Sequence, residues 1–245
     1  MLFDKKGNNP VLAVGYLFKG LNLLASTELR RFVLIPILIN VVLYGVALVL
    51  GYYYLSNLIN QFIPGWLSWL SWILWPLFFV SFIIAGFFTF TVLANLLASP
   101  FYGRLSAKTL VLITGQPSVI DEQPLVKVML AELNRAGYLL SRALPLLILS
   151  LIPGVNVLAP FLWALFGAWG MALEYFAYPL ENAGVLFSDQ KRLVGSVRLG
   201  ALSFGGVAAM GLTLPVINII IAPAAVIGAT LYVNEIKKKI KDTQG

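Results

Sequence analysis

Two adjacent arginines, Arg30 and Arg31, follow the stretch Gly20-Leu21-Asn22-Leu23-Leu24, with Ser26 and Thr27 between. Guanidinium groups are planar, permanently charged donors. A helix starting at Ser26 or Thr27 adds unpaired backbone N–H groups and the positive end of a helix dipole. Gly20, without a Cβ, lets the backbone come close to a small ion. These are the parts for holding a tetrahedral oxyanion. The same arginines also serve as a positive-inside signal that needs no ligand, and Glu28 would repel an anion if it turned inward. Three further polar residues stand in apolar surroundings: Glu174, which either lines a pathway or sits hydrated at an interface, and Asn156 and Asn218.

Other chemistries fall away on composition. His and Cys are both absent, which removes His/Cys metal sites, thiol nucleophiles, Ser-His-Asp triads and disulfides. No Gly-x4-Gly-Lys-Ser/Thr pattern occurs, so no nucleotide or other cofactor is expected. No acid is embedded in the apolar spans, which argues against an intramembrane carboxylate enzyme. The 245 residues are 60% hydrophobic and only 11% charged, with mean hydropathy +0.89. A soluble domain carries nearer a quarter charged residues, so the chain reads as a single membrane domain. Its net charge of +7 fits a basic cytoplasmic face rather than nucleic acid, since no stacking aromatics accompany the basic clusters. The N-terminal stretch has no small-residue cleavage site after a short apolar core and does not read as a removed signal peptide.

The elements that must position these residues follow from where charges are missing. Residues 32–103 contain no Asp, Glu, Lys or Arg, and neither do 143–173 or 199–234. The first block holds two spans, 32–55 and 72–98, each longer than the ~20 residues needed to cross hydrocarbon. Pro64-Gly65 forms a turn between them, with Trp66 and Trp69 as interface anchors. Basic residues flank the pair on both outer sides, which predicts cytoplasmic termini. The other blocks each carry a Pro-x-x-Asn corner, Pro153 to Asn156 and Pro215 to Asn218, followed by Pro160 or Pro223. Their apolar arms are short, about 15 to 25 Å as helices, so re-entrant hairpins fit better than full spans. Re-entrant turns need protein or a wet cavity around their free backbone groups. Full spans with short outer turns remain the alternative.

The remaining segments are amphipathic. Residues 10–24 read as an interfacial helix with Gly15, Lys19, Asn22 and Ser26 on one polar stripe. Residues 99–142 read as a helical segment with a solvated charged face, where Glu132 pairs with Arg135 at i,i+3 and Leu125, Val126, Met129, Leu130 and Leu133 face lipid or a partner helix. Residues 235–245 form a basic tail for anionic headgroups. Gly205-Gly206, Gly211 and Gly228 offer small surfaces for close helix contact in an oligomer. The expected fold is therefore all-α: two full transmembrane helices, two partly penetrating hairpins and interfacial helices.

Several stretches in their order resemble the CysZ family of bacterial sulfate permeases, which is related to the etoposide-induced membrane proteins of eukaryotes. They are GLNLL at 20–24, LRRFVLIPILIN at 29–40, NLLASPFYGRL at 95–105, EYFAYPLEN at 174–182 and LPVINIIIAPAAVIGAT at 214–230. One departure is visible. Ala177 stands before Tyr178-Pro179 where the family often has an acid, which bears on conduction details. The resemblance implies sulfate uptake across the bacterial inner membrane for assimilation into cysteine, a homo-oligomer built from dimers, and sulfate as partner. It also implies a sulfate site on Gly20, Leu21, Asn22, Leu23, Leu24, Arg30 and Arg31. A membrane scaffold that binds a partner protein or lipid without transport is the competing reading.

Overall fold

The computed structural model describes residues 3–115, 125–214 and 217–243. Among them the regular structure is all helical: α1 (Pro10–Leu24), α2 (Arg31–Phe62), α3 (Ser71–Thr114), α4 (Leu125–Leu151), α5 (Ala159–Glu181), α6 (Phe187–Ser196), α7 (Arg198–Leu212) and α8 (Ile217–Thr243). Short 3-10 turns precede α1, α3 and α5. Contacts group the chain into two units, one of Arg31–Phe101 and one of Met1–Arg30 with Tyr102–Gly245.

The smaller unit is the expected hairpin. Val41–Phe62 and Gly65–Gly86 are long and apolar enough to span, and none of either segment is buried by protein. Such a surface is stable only against lipid or another chain. Aromatics zip the hairpin: Tyr52 stacks on Trp75 at 4.9 Å, and the Tyr44 hydroxyl donates to the Gly86 carbonyl. Pro64 ends the turn of chain before Gly65–Leu70, a 3-10 segment that absorbs the reversal.

The larger unit is a helical core around α8, and α8 is where the apolar sequence is spent inside protein. Of the span-like segment Ile217–Lys237, 61% is buried, against 11% of Val155–Glu181. α8 packs on α1, α5 and α7, and α5 packs on α7. α1 contributes Ala13, Leu17, Gly20 and Leu24, a stripe at helical spacing that is buried. Residues 10–24 thus form a core helix as well as an amphipathic one. The small residues are consumed within the protomer. A Cβ on Gly205 would strike the Ala168 carbonyl, one on Gly228 the Tyr16–Leu17 backbone, and one on Gly211 the Ile221 side chain. They serve intrachain packing, which removes them as the argument for an oligomer.

The hairpin arms differ from the charge-free runs. α4 and α5 have 27 and 23 residues, because both helices continue into charged sequence, while α7 has only 15. Four helices are long and apolar enough to cross a membrane, and α6 and α7 form a bent pair, broken by 104° at Val197. The chain is a multi-pass membrane protein. Gly154 takes φ +83° at the first corner, a conformation that favours glycine, and Pro160 sits in the first turn of α5, where its missing N–H is harmless. Pro223, the proline that follows the second corner, lies inside α8 and does not break it. Pro215 lies outside the described residues, as does the end of the basic tail. α3 also runs on past residue 98 to Thr114 as one helix, so the amphipathic segment has no separate start there.

Candidate functional site

Asn9 starts the first element: its side-chain oxygen accepts from the amides of Val11 (2.9 Å) and Leu12 (3.3 Å), and Pro10 occupies the first helical position. The helix so begun ends at Leu24. Gly20-Leu21-Asn22-Leu23-Leu24 is therefore the C-terminal part of α1, where amides are spent within the helix and carbonyls face the break. The Ala25 and Ser26 amides take up the Asn22 and Leu23 carbonyls. Gly20 has a packing role: a Cβ there would lie 2.7 Å from the Gly228 nitrogen. Leu24 is buried, Leu21 and Leu23 half-buried, and the Asn22 side chain is exposed.

The donors come after the break. The Ser26 carbonyl accepts from Leu29 N (3.2 Å) and Arg30 N (3.1 Å), so Ser26 occupies the cap position of a helical turn. The amides of Thr27 and Glu28 meet no acceptor among the described residues. The Ser26 hydroxyl oxygen is itself buried without a partner. Leu29 anchors the turn in the core at 0% exposure, and Arg30 is exposed at its end. Glu28 pairs with Lys108 at 3.7 Å, which partly offsets its charge toward an anion. Arg31, also exposed, opens α2 and is the first residue of the other unit.

Glu174 belongs to a different cluster. Arg135, 8% exposed, donates to the Leu173 carbonyl at 2.8 Å and pairs with Glu174 at 3.1 Å and Glu132 at 3.4 Å. The Tyr178 hydroxyl donates to Glu174 at 3.0 Å. The i,i+3 pair is as the spacing predicts, but its arginine is buried between α4 and α5 rather than solvated. Nothing local in the sequence signals that burial, because it comes from α5. Tyr102 packs edge-on to Tyr178. Asn182 donates to the Gly103 carbonyl at 2.9 Å, tying α3 to the end of α5.

Asn156 and Asn218 are both exposed at the corners, each with its amide bonded one turn back at 3.0 Å. Around them the surface is apolar: Leu151, Val157, Leu158 and Phe161 at one corner, Met210, Leu214, Ile217 and Ile220 at the other. On α4, Val126, Met129, Leu130 and Leu133 are likewise exposed. Among the described residues no His/Cys/Asp/Glu group has the makings of a metal site.

Residues 16–223 match the family described as Sulfate transporter CysZ/Etoposide-induced protein 2.4. The chain is 41% identical over 230 residues to a "Sulfate transporter CysZ" of Pseudomonas syringae pv. tomato, covering 89% of each. It is 38% identical over 232 residues to one of Pseudomonas aeruginosa, covering 89% of this chain and 92% of that one. A third, from Vibrio atlanticus, is 36% identical over 244 residues, covering 93% and 94%.

Proposed function

The chain belongs to the Sulfate transporter CysZ/Etoposide-induced protein 2.4 family, and from that premise we propose a passive sulfate permease of the bacterial inner membrane. It takes up sulfate for assimilation into cysteine. The observation that carries the site is the set of unspent donors at Ser26, Thr27 and Glu28, with Arg30 closing the same turn and Arg31 following. Sulfate is a dianion at neutral pH that accepts hydrogen bonds and donates none. Backbone amides at the start of a helical turn and guanidinium forks match it, and charge-assisted bonds are the stronger kind. The stretch from Gly20 to Leu24 frames the site by holding α1 against α8, so the turn is presented from a rigid base.

Movement needs no nucleotide. Intracellular consumption keeps the gradient downhill, although carrying two charges against an inside-negative potential costs about 4.6 kcal/mol per 100 mV. The fold implied is two full spans, α2 and α3, with α4–α5 and α7–α8 as hairpins whose apolar corners end in hydrocarbon, and with both termini cytoplasmic. The exposed apolar corners and the 15-residue α7 support that reading. A homo-oligomer built from dimers, with lipid around it, completes the reading, and the unburied α2–α3 surface is open to either contact. Purified protein in liposomes tests the function: protein-dependent entry of radiolabelled sulfate is expected. Entry no faster than into empty vesicles would leave a non-transporting scaffold.

A further inference from the structure

A second cationic feature shares no residue with the stretch 26–31. Tyr138 and Arg142 of α4, Trp169 of α5, Lys191, Arg192, Gly195 and Ser196 of α6, and Arg198 at the start of α7 line a pocket of about 440 Å³. Four of its residues are cations and none is an acid. Among the described residues none of the four forms an ion pair. The charge on α4 is sorted unevenly. Arg135 takes both Glu132 and Glu174, while Arg142, two turns on along the same face, is left with none. Asp189, the acid on α6, is exposed and does not line the pocket.

The wall is built rather than loose. Trp169 Nε1 donates to the Tyr138 hydroxyl at 3.0 Å, and Phe187 meets the Tyr138 ring edge-on at 5.6 Å. The ring so fixed carries the Arg142 guanidinium at 3.7 Å and the Lys191 ammonium at 5.1 Å from its centroid. The start of α7 adds little, because the Asn8 side chain already accepts from the Leu199 and Gly200 amides at 2.7 and 3.2 Å. Like charges gathered in one concavity repel, and an aromatic face offsets only part of that. An anion held among them would relieve the rest.

We propose that this pocket binds a tetrahedral oxyanion group, a sulfate or a phosphate, through Arg142, Lys191, Arg192 and Arg198, with Tyr138 as the platform that holds two of them. The group comes either from free anion in solution or from the headgroup of an acidic lipid. The proposal stands on the pocket and not on the transport reading. Its test uses the full chain, delipidated in an uncharged detergent, titrated with inorganic sulfate and separately with inorganic phosphate. The same chain in phosphatidylcholine nanodiscs with and without phosphatidic acid gives the lipid arm. Lys191→Gln with Arg198→Gln should weaken one class of binding at least tenfold. Arg142→Gln, on a different helix, should do the same, while Lys191→Arg with Arg198→Lys should retain it. Arg30→Ala with Arg31→Ala should leave this class intact, which separates it from the proposed transport site. Loss in the free-anion titration identifies a solution anion, and loss confined to phosphatidic acid identifies a headgroup. Equal binding by parent and both Gln variants in every arm would overturn the proposal.

Discussion

Replacing Gly20 by Ala should destabilise the protein, and Gly15→Ala in the same helix should not. A Cβ on Gly20 would stand 2.7 Å from the Gly228 nitrogen and 3.0 Å from its Cα, and closer still to the Ala224 carbonyl oxygen. Ordinary contact begins near 3.4 Å, so α1 and α8 must part by about 0.7 Å or more, because the obstacles are backbone and cannot rotate away. Overpacking of this kind costs ~1–3 kcal/mol, and a backbone clash belongs in the upper half of that range. For a chain of this size each kcal/mol moves the midpoint by about 2–4 °C, so a fall of roughly 4–12 °C is expected. At Gly15 an added Cβ meets nothing within 4 Å. There the helix propensity of Ala should leave stability unchanged or raise it by up to ~1 kcal/mol. Thermal unfolding of both variants and the parent in one detergent, without sulfate, reads the difference. Superimposable curves for Gly20→Ala and the parent would refute the close α1–α8 crossing.

Asn8→Ala removes the cap on α7 and should cost ~1 kcal/mol in a circular-dichroism melt, with Asn8→Asp retaining most of it. Arg135→Met takes a side-chain donor from the Leu173 carbonyl, which keeps its place in the α5 ladder, and Glu174, with its side chain 44% exposed, can recover water. The loss should therefore be ~1–3 kcal/mol by thermal unfolding, below the usual figure for a fully buried pair. Adding Glu174→Gln to Arg135→Met should cost no more than Arg135→Met alone, since the two share one interaction. Cysteines at Asn156 or Asn218, both unshielded by protein, should resist membrane-impermeant thiol reagents added from the periplasmic side. Rapid labelling there would mean full spans.

The two long spans and the all-helical class could be read from the sequence because lipid imposes a length and a lack of charge that any observer can count. The Ser26 break was legible only in part: a cap residue before a basic, apolar run signals a helix start, yet residues 27–30 form a turn and α2 begins at Arg31. The role of Gly20 was not legible. A glycine suits an ion or a neighbouring helix equally well, and only the partner, Gly228 more than 200 residues on, decides between them. Arg135 hid for the same reason. Its i,i+3 acid is visible locally, yet the Leu173 carbonyl and Glu174 that bury it come from another helix. The basic pocket escaped because its four cations are spread over α4, α6 and α7, each unremarkable on its own helix. Arm lengths misled for α4 and α5, because a helix is ended by Pro and Gly at a corner, not by the first charge it meets.

Sulfate influx by Arg30→Ala/Arg31→Ala protein in liposomes is the most direct test of the central claim. The initial rate of radiolabelled entry is measured with the membrane potential clamped at zero, at matched protein incorporation and orientation. Lys5→Ala/Lys6→Ala, which removes the same charge from another exposed pair, is the control. Loss of charge-assisted bonds at ~1.5–3 kcal/mol each should slow influx by at least tenfold at sulfate concentrations below saturation in the arginine variant and leave the lysine variant near the parent. Arginine-variant influx equal to the parent's would contradict the account and return Arg30 and Arg31 to the role of topology signals.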